Sequence, residues 1–585
     1  MRLEAYWGVG PKTAGLLRES IGESAAIAAI EGADVRTLAD AGLPRGRAVR
    51  ILRRANGTDG VDVLGTSDSR SVYDDLLSLA SEYAVTDHAA DRIRVLTPLT
   101  DRTAIENRLD DVLAAKDAWT ALADADRERV LAAFERYDAA GGTDRAAVEA
   151  ALELRAVGLT GETVDALGDV DEAALEAAAG ALGYIQETPE GPTVIEGADD
   201  ELDRLREQRD AARELDNAAF DIIDTVRDGG VRDMQAFRSG VVDHVASETD
   251  IPEATIRSAA PDEAVDAADF VSATLRGVVE DLETRVEDRE EAVAADLRSR
   301  IETAEGDVAA AVEAVGEIAF ALSVGRFAAA YDLRRPTLVD DGLAVADARN
   351  LFLDGEIQPI TYAVGDHELA DTPRAISPPA GDRVTVLTGA NSGGKTTLLE
   401  TLCQLALLTA MGLPVPAAEA EVGLFDTVVF HRRHASFNAG VLESTLKSIV
   451  PPLTGDGRTL MLVDEFEAIT EPGRAADLLN GLVSLSVDRS ALGVYVTHLA
   501  DDLSPLPQTA RIDGIFAEGL TPELELRVDY QPRFGTVGKS TPEFIVSRLV
   551  ANANDRAERA GFESLAAAVG EEAVQRTLSD AEWDE

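Results

Sequence analysis

One stretch of this 585-residue chain constrains its fold more than any other: Gly389-Ala390-Asn391-Ser392-Gly393-Gly394-Lys395-Thr396. The stretch has the spacing G-x-x-x-x-G-K-[ST], follows an apolar strand and precedes an apolar helix. This is the setting of a phosphate-binding loop, because the glycines turn backbone N–H groups toward phosphate oxygens at a helix N-terminus. The pattern predicts an α/β domain that binds ATP through Gly389 to Thr397. We expect Lys395 to bridge the β- and γ-phosphates and Thr396 to ligate a divalent metal, magnesium or manganese.

Two later segments place polar side chains at the ends of apolar strands. Strand 460–463 runs directly into Asp464 and Glu465, and the strand GVYVT runs into His498. In a P-loop enzyme, we expect Asp464 to hold the metal through water and Glu465 to orient or deprotonate the attacking water. His498 would hydrogen-bond the γ-phosphate, which makes Glu465, His498 and Lys395 the predicted catalytic residues. Each pattern also has a structural alternative. Asp464 and Glu465 could be solvated acids at a strand end, and His498 could be a capping or core histidine.

A serine-bearing segment, SFNAGVLE, lies between the P-loop helix and the acidic strand. ATPases of the ABC type carry a serine at a helix N-terminus in this part of the chain, where it completes the nucleotide site of a partner subunit. Ser436 is therefore predicted to contact the nucleotide in trans. The LSGGQ sequence of transporters does not occur here. A loop followed by an ordinary helix cap is the alternative for this segment.

The composition indicates the cellular setting of the chain. Acidic residues number 108 against 54 Lys plus Arg, which gives a formal net charge of −54. Lysine is rare, occurring at Lys12, Lys116, Lys395, Lys447 and Lys539. This composition is typical of a cytoplasmic protein from a salt-accumulating halophile, where high salt screens the repulsion between surface carboxylates. The net charge therefore does not argue against a nucleic-acid partner. The single cysteine excludes a disulfide framework and a cysteine-based zinc site.

The N-terminus carries a pattern that resembles a helix-hairpin-helix loop, Trp7-Gly8-Val9-Gly10-Pro11-Lys12-Thr13-Ala14. A weaker second copy, AGLPRGRA, has Pro44 in place of the second glycine. Such loops present backbone N–H groups to a DNA phosphate, and contacts of this kind position a duplex without reading its bases. The predicted DNA-binding residues are Gly8, Gly10, Lys12, Arg45 and Arg47. A hairpin that binds another protein is the alternative.

The predicted fold class is multidomain α and α/β, with a helical N-terminal part and a C-terminal ABC-type P-loop ATPase. No proline occurs between Pro261 and Pro336, and apolar residues there recur at helical spacing. This pattern predicts a helix of about 60 residues and about 90 Å, paired with an earlier charged helix as a coiled-coil arm. A helical bundle kinked at Gly277, Gly306 or Gly316 is the alternative. The predicted domains are a helix-hairpin-helix unit (1–57), a linker (58–68), a helical core (69–198), a lever arm (199–335, with its tip near 229–262), the ATPase (336–530) and C-terminal helices that form a dimer contact (531–585).

No targeting or membrane segment is predicted. The start, MRLEAYWGVGPK, lacks the apolar core of a signal peptide. The uncharged stretch 401–418 is interrupted by glycine and prolines. It is too short for the ~20 residues that span a bilayer, so we expect a buried helix.

Several segments together resemble the MutS family. TGANSGGKTTLL resembles its P-loop, with Ala390 and Ser392 where the usual form has Pro and Met. SFNAGVLE resembles its signature segment, LVDEFEAITEP its acidic strand and dimer-contact loop, and YVTHLADDL its histidine switch. FAAAYDLRRP followed by LAVADARNLFL resembles the end of its lever arm and the entry to its ATPase domain, and VLTPLTDRTAIENRLDDVLAAKDAW resembles the start of its helical core. The resemblance covers residues 90–550 and is most specific over 384–500.

The resemblance implies a function. The Phe-x-Glu wedge of mismatch-reading members does not occur before the arm, and the C-terminal nuclease domain of bacterial second-subfamily members is not expected here. The archaeal second MutS subfamily matches best, which implies ATPase activity and binding of double-stranded DNA without mismatch preference. We expect a cytoplasmic, nucleoid-associated homodimer that ATP closes around DNA. The alternatives are an architectural or recombination-modulating DNA-binding protein with ATP as a slow switch, and an SMC- or ABC-type ATPase.

Overall fold

The structure is a computed structural model of the chain. It describes all residues except 1–2, 4–5, 7, 32, 57, 160–164, 166, 169, 189–190, 229–232, 370–372, 390–393, 433–438, 466–471, 504, 521–525, 539–541, 554–555, 571–573 and 575–585. The described part forms two compact units. One comprises Met1–Phe134, Leu159–Val164 and Gly316–Glu585, and the other comprises Glu135–Gly158 and Asp165–Val315.

The described elements are mostly helices, with strands concentrated in the C-terminal half. The helices are α1 Pro11–Ser20, α2 Glu23–Glu31, α3 Val35–Asp40, α4 Arg45–Asn56, α5 Thr58–Asp62, α6 Ser67–Ser81, α7 Asp87–Arg94, α8 Arg102–Ala121, α9 Asp124–Ala139, α10 Asp144–Val157, α11 Glu172–Tyr184, α12 Asp200–Asn217, α13 Ala219–Asp228, α14 Met234–Thr249, α15 Glu253–Ala259, α16 Ala267–Thr303, α17 Glu305–Ala330, α18 Lys395–Ala410, α19 Ala439–Thr454, α20 Pro472–Asp488, α21 Pro542–Asn552 and α22 Arg556–Val569. The strands are β1 Ile185–Thr188, β2 Gly191–Val194, β3 Thr337–Val339, β4 Leu343–Ala348, β5 Ile360–Val364, β6 Val384–Gly389, β7 Glu419–Gly423, β8 Thr427–His431, β9 Thr459–Val463, β10 Leu492–Val496, β11 Ala510–Leu520 and β12 Leu526–Phe534. This content agrees with the predicted multidomain α and α/β class.

Two sheets form the centre of the first unit. The larger sheet has the order β12-β11-β6-β10-β9-β8; it is parallel except for β12, which pairs antiparallel with β11. The smaller sheet has the order β3-β7-β4-β5. Strands β6, β9 and β10 are buried along their whole length. Such continuous apolar runs are typical of parallel strands covered on both faces.

Helix α18, which follows the P-loop, lies within the apolar core of this unit. Leu399, Leu402, Cys403 and Leu405 are fully buried there. The expectation of a buried helix in the uncharged stretch is confirmed, since almost every residue from Leu398 to Ala410 is inaccessible. Its C-terminal turn is capped by backbone bonds near Met411.

The N-terminal helices contain an internal repeat with an offset of 34 residues. Gly8 and Gly42 both adopt positive φ, at 79° and 96°. One position later in each copy, Val9 and Leu43 are buried, and Ala14 and Ala48 are fully buried further along. The repeat gives the weaker second copy the same backbone turn as the first, although Pro44 replaces the second glycine.

The segment predicted as a linker, 58–68, is not an extended tether. Residues Thr58–Asp62 are helical. The next residues pair with the outer edge of the larger sheet, because Gly65 N–H donates to the Val428 carbonyl at 3.1 Å and Val428 N–H donates to the Val63 carbonyl at 2.7 Å. The segment therefore covers an edge strand, which would otherwise present unpaired backbone groups.

The predicted helical core 69–198 does not form one compact unit. Helices α6 and α7 bury Val72, Tyr73, Leu76 and Ile93 in the same core as the strands and α18, whereas α10 and α11 belong to the second unit. The predicted boundary at residue 68 is therefore wrong, because α6 packs its apolar face against β8 and α18.

The second unit contains an antiparallel helix pair. Along α12 and α16, Arg289 bonds to Asp199 at 2.9 and 2.6 Å, and Arg213 bonds to Glu283. The hairpin β1–β2, which was not predicted, lies beside this pair, and Val194 N–H donates to Glu290 at 3.0 Å. Leu275, Leu282 and Leu297 of the predicted apolar seam are buried.

The predicted uninterrupted helix of about 60 residues is divided into two. Helix α16 has 37 residues and ends at Thr303, where the Ala304 N–H bonds back to the carbonyls of the last turn. Helix α17 begins at Glu305 and places Gly306 in its first turn. Helix α17 is long and apolar enough to cross a bilayer by length and composition, but 56 % of its apolar window is buried inside the protein, as in a core helix.

Candidate functional site

The predicted site residues come together because three neighbouring strands end at one edge of the larger sheet. In the order β6-β10-β9, Val496 lies opposite Leu387 and Tyr495 lies opposite Val463. The residues that follow β9 and β10 are therefore brought beside the start of the P-loop. Ligands of open parallel sheets bind at this carboxyl edge.

Glycine is required at the two ends of the P-loop that the structure describes. Gly389 has φ 136°, and a Cβ there would lie 2.2 Å from the Ile515 carbonyl oxygen. Gly394 has φ 72° and caps α18; a Cβ there would lie 2.7 Å from the Tyr530 ring. Both positions need a left-handed backbone and close approach, which only glycine combines at low cost.

Lys395 and Thr396, the next two residues, already make buried contacts. Lys395 is 4 % exposed, and its Nζ donates to the Gly389 carbonyl at 2.9 Å across the loop. Thr396 Oγ1 donates to Asp464 Oδ2 at 2.6 Å. The chain thus brings together the amine, hydroxyl and carboxylate that the sequence placed 68 residues apart.

Glu465 and His498 form a second pair at the same edge. His498 Nε2 lies 2.9 Å from Glu465 Oε1, and the carboxylate side chain is 9 % exposed. The Glu465 backbone has φ 41°, a conformation that side-chain-bearing residues rarely adopt. The sequence predicted a His498 contact with phosphate, whereas the structure shows His498 against the predicted base. The strained backbone and this bond fix the direction of the carboxylate.

A cavity of about 480 Å³ opens beside these groups. Lys395, Thr396, Thr397 and Glu465 are among its lining residues. The lining also includes residues of the segment after β4, together with Tyr530: Asn350, Leu353, Asp354, Glu356, Ile357 and Gln358. The stretch LAVADARNLFL, which includes Asn350 and Leu353, resembles a family segment but had no predicted role in a site, so only the tertiary structure places it here.

A buried polar network contacts β6, the strand that leads into the P-loop. Tyr362 Oη donates to Asp513 Oδ2 at 2.8 Å and lies 2.9 Å from Thr385 Oγ1, while Arg511 Nε donates to the Asp513 carboxylate at 3.0 Å. Burial raises the pKa of the Tyr362 hydroxyl well above its ordinary value. Burial also raises the pKa of Asp513, against the lowering effect of the Arg511 guanidinium. The network joins β5, β6 and β11, and so fixes the strand that leads into the loop.

Several predicted residues lie outside the described part of the chain. They are Ala390, Asn391, Ser392 and Gly393 of the loop and Ser436 of the signature segment. Their predicted contacts remain predictions.

The predicted DNA-binding residues lie together at the N-terminal hairpins. Gly10 caps α1, and Lys12 is exposed in its first turn. Arg47 Nη2 donates to Thr13 Oγ1 at 2.8 Å, which joins the second hairpin to the first. Arg45 bonds instead to Asp91, whose side chain is only 5 % exposed. Part of the basic charge on α4 therefore holds the N-terminal helices against α7.

Comparisons with known proteins identify relatives of this chain. A protein of Pyrococcus furiosus named DNA-binding protein MutS2 is 42 % identical over 234 residues, which is 40 % of this chain and 40 % of that protein. Endonuclease MutS2 of Pelotomaculum thermopropionicum is 27 % identical over 246 residues, 41 % of this chain and 29 % of that protein. The mitochondrial DNA mismatch repair protein MSH1 of Arabidopsis thaliana is 35 % identical over 134 residues, 22 % of this chain and 12 % of that protein. No protein-family profile matches the chain.

The similarity is partial in both directions. The chain spans 40 % of the first of these relatives and 29 % of the second. Within those limits, the names of the relatives agree with the resemblance that the motifs predicted. Over 40 % and 41 % of its length, the chain is similar to these two MutS2 proteins.

Proposed function

We propose that the chain is an ATPase that binds double-stranded DNA and works as a homodimer. The observation that supports this most directly is the cavity of about 480 Å³, which is lined by Lys395, Thr396 and Glu465 together with apolar and aromatic side chains. A nucleoside triphosphate combines charged phosphates with a flat base, and this lining offers groups suited to both.

The phosphate end has the groups that hydrolysis needs. Lys395 would leave the Gly389 carbonyl to meet the β- and γ-phosphates, and the α18 N-terminus favours negative charge. Glu465, aimed by His498, would accept a proton from the attacking water. The residue that touches the reacting water is therefore Glu465, and His498 positions it.

A divalent cation fits the oxygen groups beside the loop. Thr396 Oγ1 and Asp464 Oδ2, 2.6 Å apart, are hard oxygen donors of the kind that magnesium and manganese prefer. Thr396 would bind the ion directly and Asp464 through water. When bound, the ion would neutralise charge on the phosphates.

The apolar and aromatic part of the cavity lining suits a purine base. Leu353 and Ile357 supply apolar surface, Tyr530 supplies a ring that is 40 % exposed, and Gln358 supplies an amide. Gln358 Oε1 accepts from the Tyr530 N–H at 3.1 Å, so the two are held together. Aromatic and apolar side chains with a few polar groups are the usual lining of a nucleotide-base pocket.

DNA binding is proposed from the N-terminal hairpins and from the names of the related proteins. Gly8 and Gly10 present a turn at the α1 N-terminus, with Lys12 exposed beside it. Contacts of this kind reach the phosphate backbone, so binding would not depend on sequence or mismatches. Dimer closure, with Ser436 of each subunit at the other's nucleotide, would couple ATP to the grip on DNA in the cytoplasm of a halophile.

ATP hydrolysis measured in molar KCl, with and without duplex DNA, tests the proposal. We expect turnover that requires a divalent cation, and a shift from monomer to dimer in light scattering when a non-cleavable ATP mimic is added. A chain that binds no ATP, or one that stays monomeric when saturated with the mimic, would contradict it.

A further inference from the structure

The loop that follows β4 and lines the cavity, from Asn350 to Gln358, is called here the base-side loop. Its first residue, Asn350, is anchored to α18 by its buried side-chain amide. Asn350 is 2 % exposed, and its Nδ2 donates to Glu400 Oε2 at 3.2 Å and to Thr401 Oγ1 at 3.3 Å. Its Oδ1 accepts from Gln404 Nε2 at 3.0 Å and from the Phe352 N–H at 2.9 Å. All of the donors and acceptors of this side chain therefore have a fixed direction.

A second bond repeats the anchor one residue further along. Gln404 Oε1 accepts from the Leu351 N–H at 2.9 Å, and Gln404 is fully buried. The loop that continues from here supplies Leu353 and Ile357 to the cavity. The position of the base-side wall thus depends on polar side chains of α18.

Glu400 connects this anchor to a different part of the sheet edge. Its second oxygen, Oε1, accepts from Arg432 Nη2. Arg432 directly follows β8, and its own N–H donates to Asp68 Oδ2 at 2.8 Å at the start of α6. The guanidinium also lies 5.3 Å from the centre of the Phe430 ring. Arg432 is followed in the chain by residues 433–438, which hold Ser436 and lie outside the described part.

The Glu400–Arg432 ion pair is partly shielded from water by the protein. The Glu400 side chain is 17 % exposed and that of Arg432 is 36 % exposed. A pair with limited access to water is screened less than a surface pair. The described lining of the cavity includes Thr397, Leu398 and Thr401 of the same helix but not Glu400. Glu400 would therefore act through its neighbours and not by touching the nucleotide.

We propose that Glu400 is a positioning residue that joins the base-side loop, through Asn350, to the strand end that leads into the signature segment, through Arg432. Because the Asn350 amide holds one oxygen of Glu400 and Arg432 holds the other, a shift of the loop on nucleotide binding would be passed to the end of β8. This inference rests on the proposed function, because it assigns to Glu400 the link between nucleotide binding and dimer closure.

Glu400→Gln, Arg432→Gln and the double variant test this link in the full chain. The readouts are the affinity for a fluorescent ATP analogue, the dimerisation caused by a non-cleavable ATP mimic, and kcat and KM for ATP. We expect Glu400→Gln to leave nucleotide affinity within about twofold, since residues that act through others alter coupling more than contact. We expect kcat and mimic-driven dimerisation to fall by about tenfold.

Two further variants separate positioning from simple structural support. In the double variant, kcat and mimic-driven dimerisation should fall no further than in either single variant, because each single change already removes the Glu400–Arg432 pair. Arg432→Lys keeps the positive charge, so its kcat should lie between those of Arg432→Gln and the wild type, with KM unchanged. Glu106→Gln is the matched control, since Glu106 is an exposed partner of Arg102 at 3.0 Å outside the cavity.

Each outcome decides the inference. Wild-type kcat and dimerisation in Glu400→Gln would overturn it, as would a Glu400→Gln protein that loses nucleotide affinity, because Glu400 would then belong to the pocket itself. If Glu400→Gln does not fold, Arg432→Gln and Arg432→Lys decide by the same split. A wild-type chain that binds no ATP would contradict the proposed function and not this link alone.

Discussion

The P-loop and the first N-terminal hairpin share one local arrangement but differ in their exposure to water. In both, a glycine with positive φ precedes a helix N-terminus and a lysine lies in the first turn: Gly394 (φ 72°) with Lys395, and Gly8 (φ 79°) with Lys12. Lys395 is 4 % exposed, whereas Lys12 is exposed. The first arrangement can exclude water and support chemistry, while the second can only meet a phosphate from outside.

Their surroundings explain the difference. The P-loop follows β6, which lies inside the parallel sheet. The neighbouring strands β10 and β9 end at the same edge, so Asp464, Glu465 and His498 lie beside the loop. The hairpin turn lies at the edge of a small helical core. A shared motif therefore predicts phosphate binding at both places, and only the strands around it predict catalysis.

The comparison predicts its largest effect at the P-loop. Lys395→Ala should reduce ATP turnover by at least about 100-fold, because the chain would lose a buried cation at the phosphates. Phosphate release in molar KCl measures the effect. Lys447→Ala is the control, because Lys447 is an exposed lysine paired with Glu443 at 2.5 Å. Normal hydrolysis by Lys395→Ala would refute the assignment of the site.

The second prediction concerns the pair at the same edge. Glu465→Gln should keep ATP binding and slow turnover by about 100-fold, because it removes the proposed base. Single-turnover kinetics and nucleotide titration separate the two properties. His498 and Glu465 are in contact at 2.9 Å. Adding His498→Ala to Glu465→Gln should therefore lower the turnover rate only slightly further. Additive losses would show that His498 acts elsewhere, as on the γ-phosphate.

The third prediction concerns the segment that joins the two regions. A Cβ at Gly65 would lie 2.7 Å from Thr427 Cγ2 and 3.1 Å from the Val428 carbonyl oxygen. Gly65→Ala should therefore lower the free energy of unfolding by about 1–3 kcal/mol, measured by urea unfolding. Gly46→Ala is the control, because no atom lies within 4 Å of its Cβ. Equal stability of the two variants would mean that the segment does not pack on the sheet edge.

The smallest effects are expected at the hairpin itself. Lys12→Ala should weaken duplex binding equally for all sequences and reduce the slope of log K against log salt by about one. Arg45→Ala should mainly lower stability, since Arg45 pairs with the buried Asp91. DNA titrations at several KCl concentrations, with urea unfolding alongside, distinguish the two. A Lys12→Ala protein with unchanged DNA affinity would favour a hairpin that binds protein.

The contact between Thr396 and Asp464 follows from chain order alone. Asp464 and Glu465 follow a strand directly, and parallel strands end at one edge, so their meeting with Thr396 needed only the motif spacing. The linker prediction failed at 63–66 because polar, glycine-containing segments look alike whether they are loose or paired to a sheet edge. The long helix failed at Ala304 because its composition there remains helical on both sides of the break.

The sequence by itself determined the P-loop, its acidic partners, the glycine turns and the mixed α and α/β class, because each depends on local spacing and backbone preference. Only the tertiary structure decided that Asn350, Ile357 and Tyr530 enclose the cavity and that Arg45 is paired with Asp91. These contacts join residues far apart in the chain. Their formation depends on how the whole core packs, which no local pattern encodes.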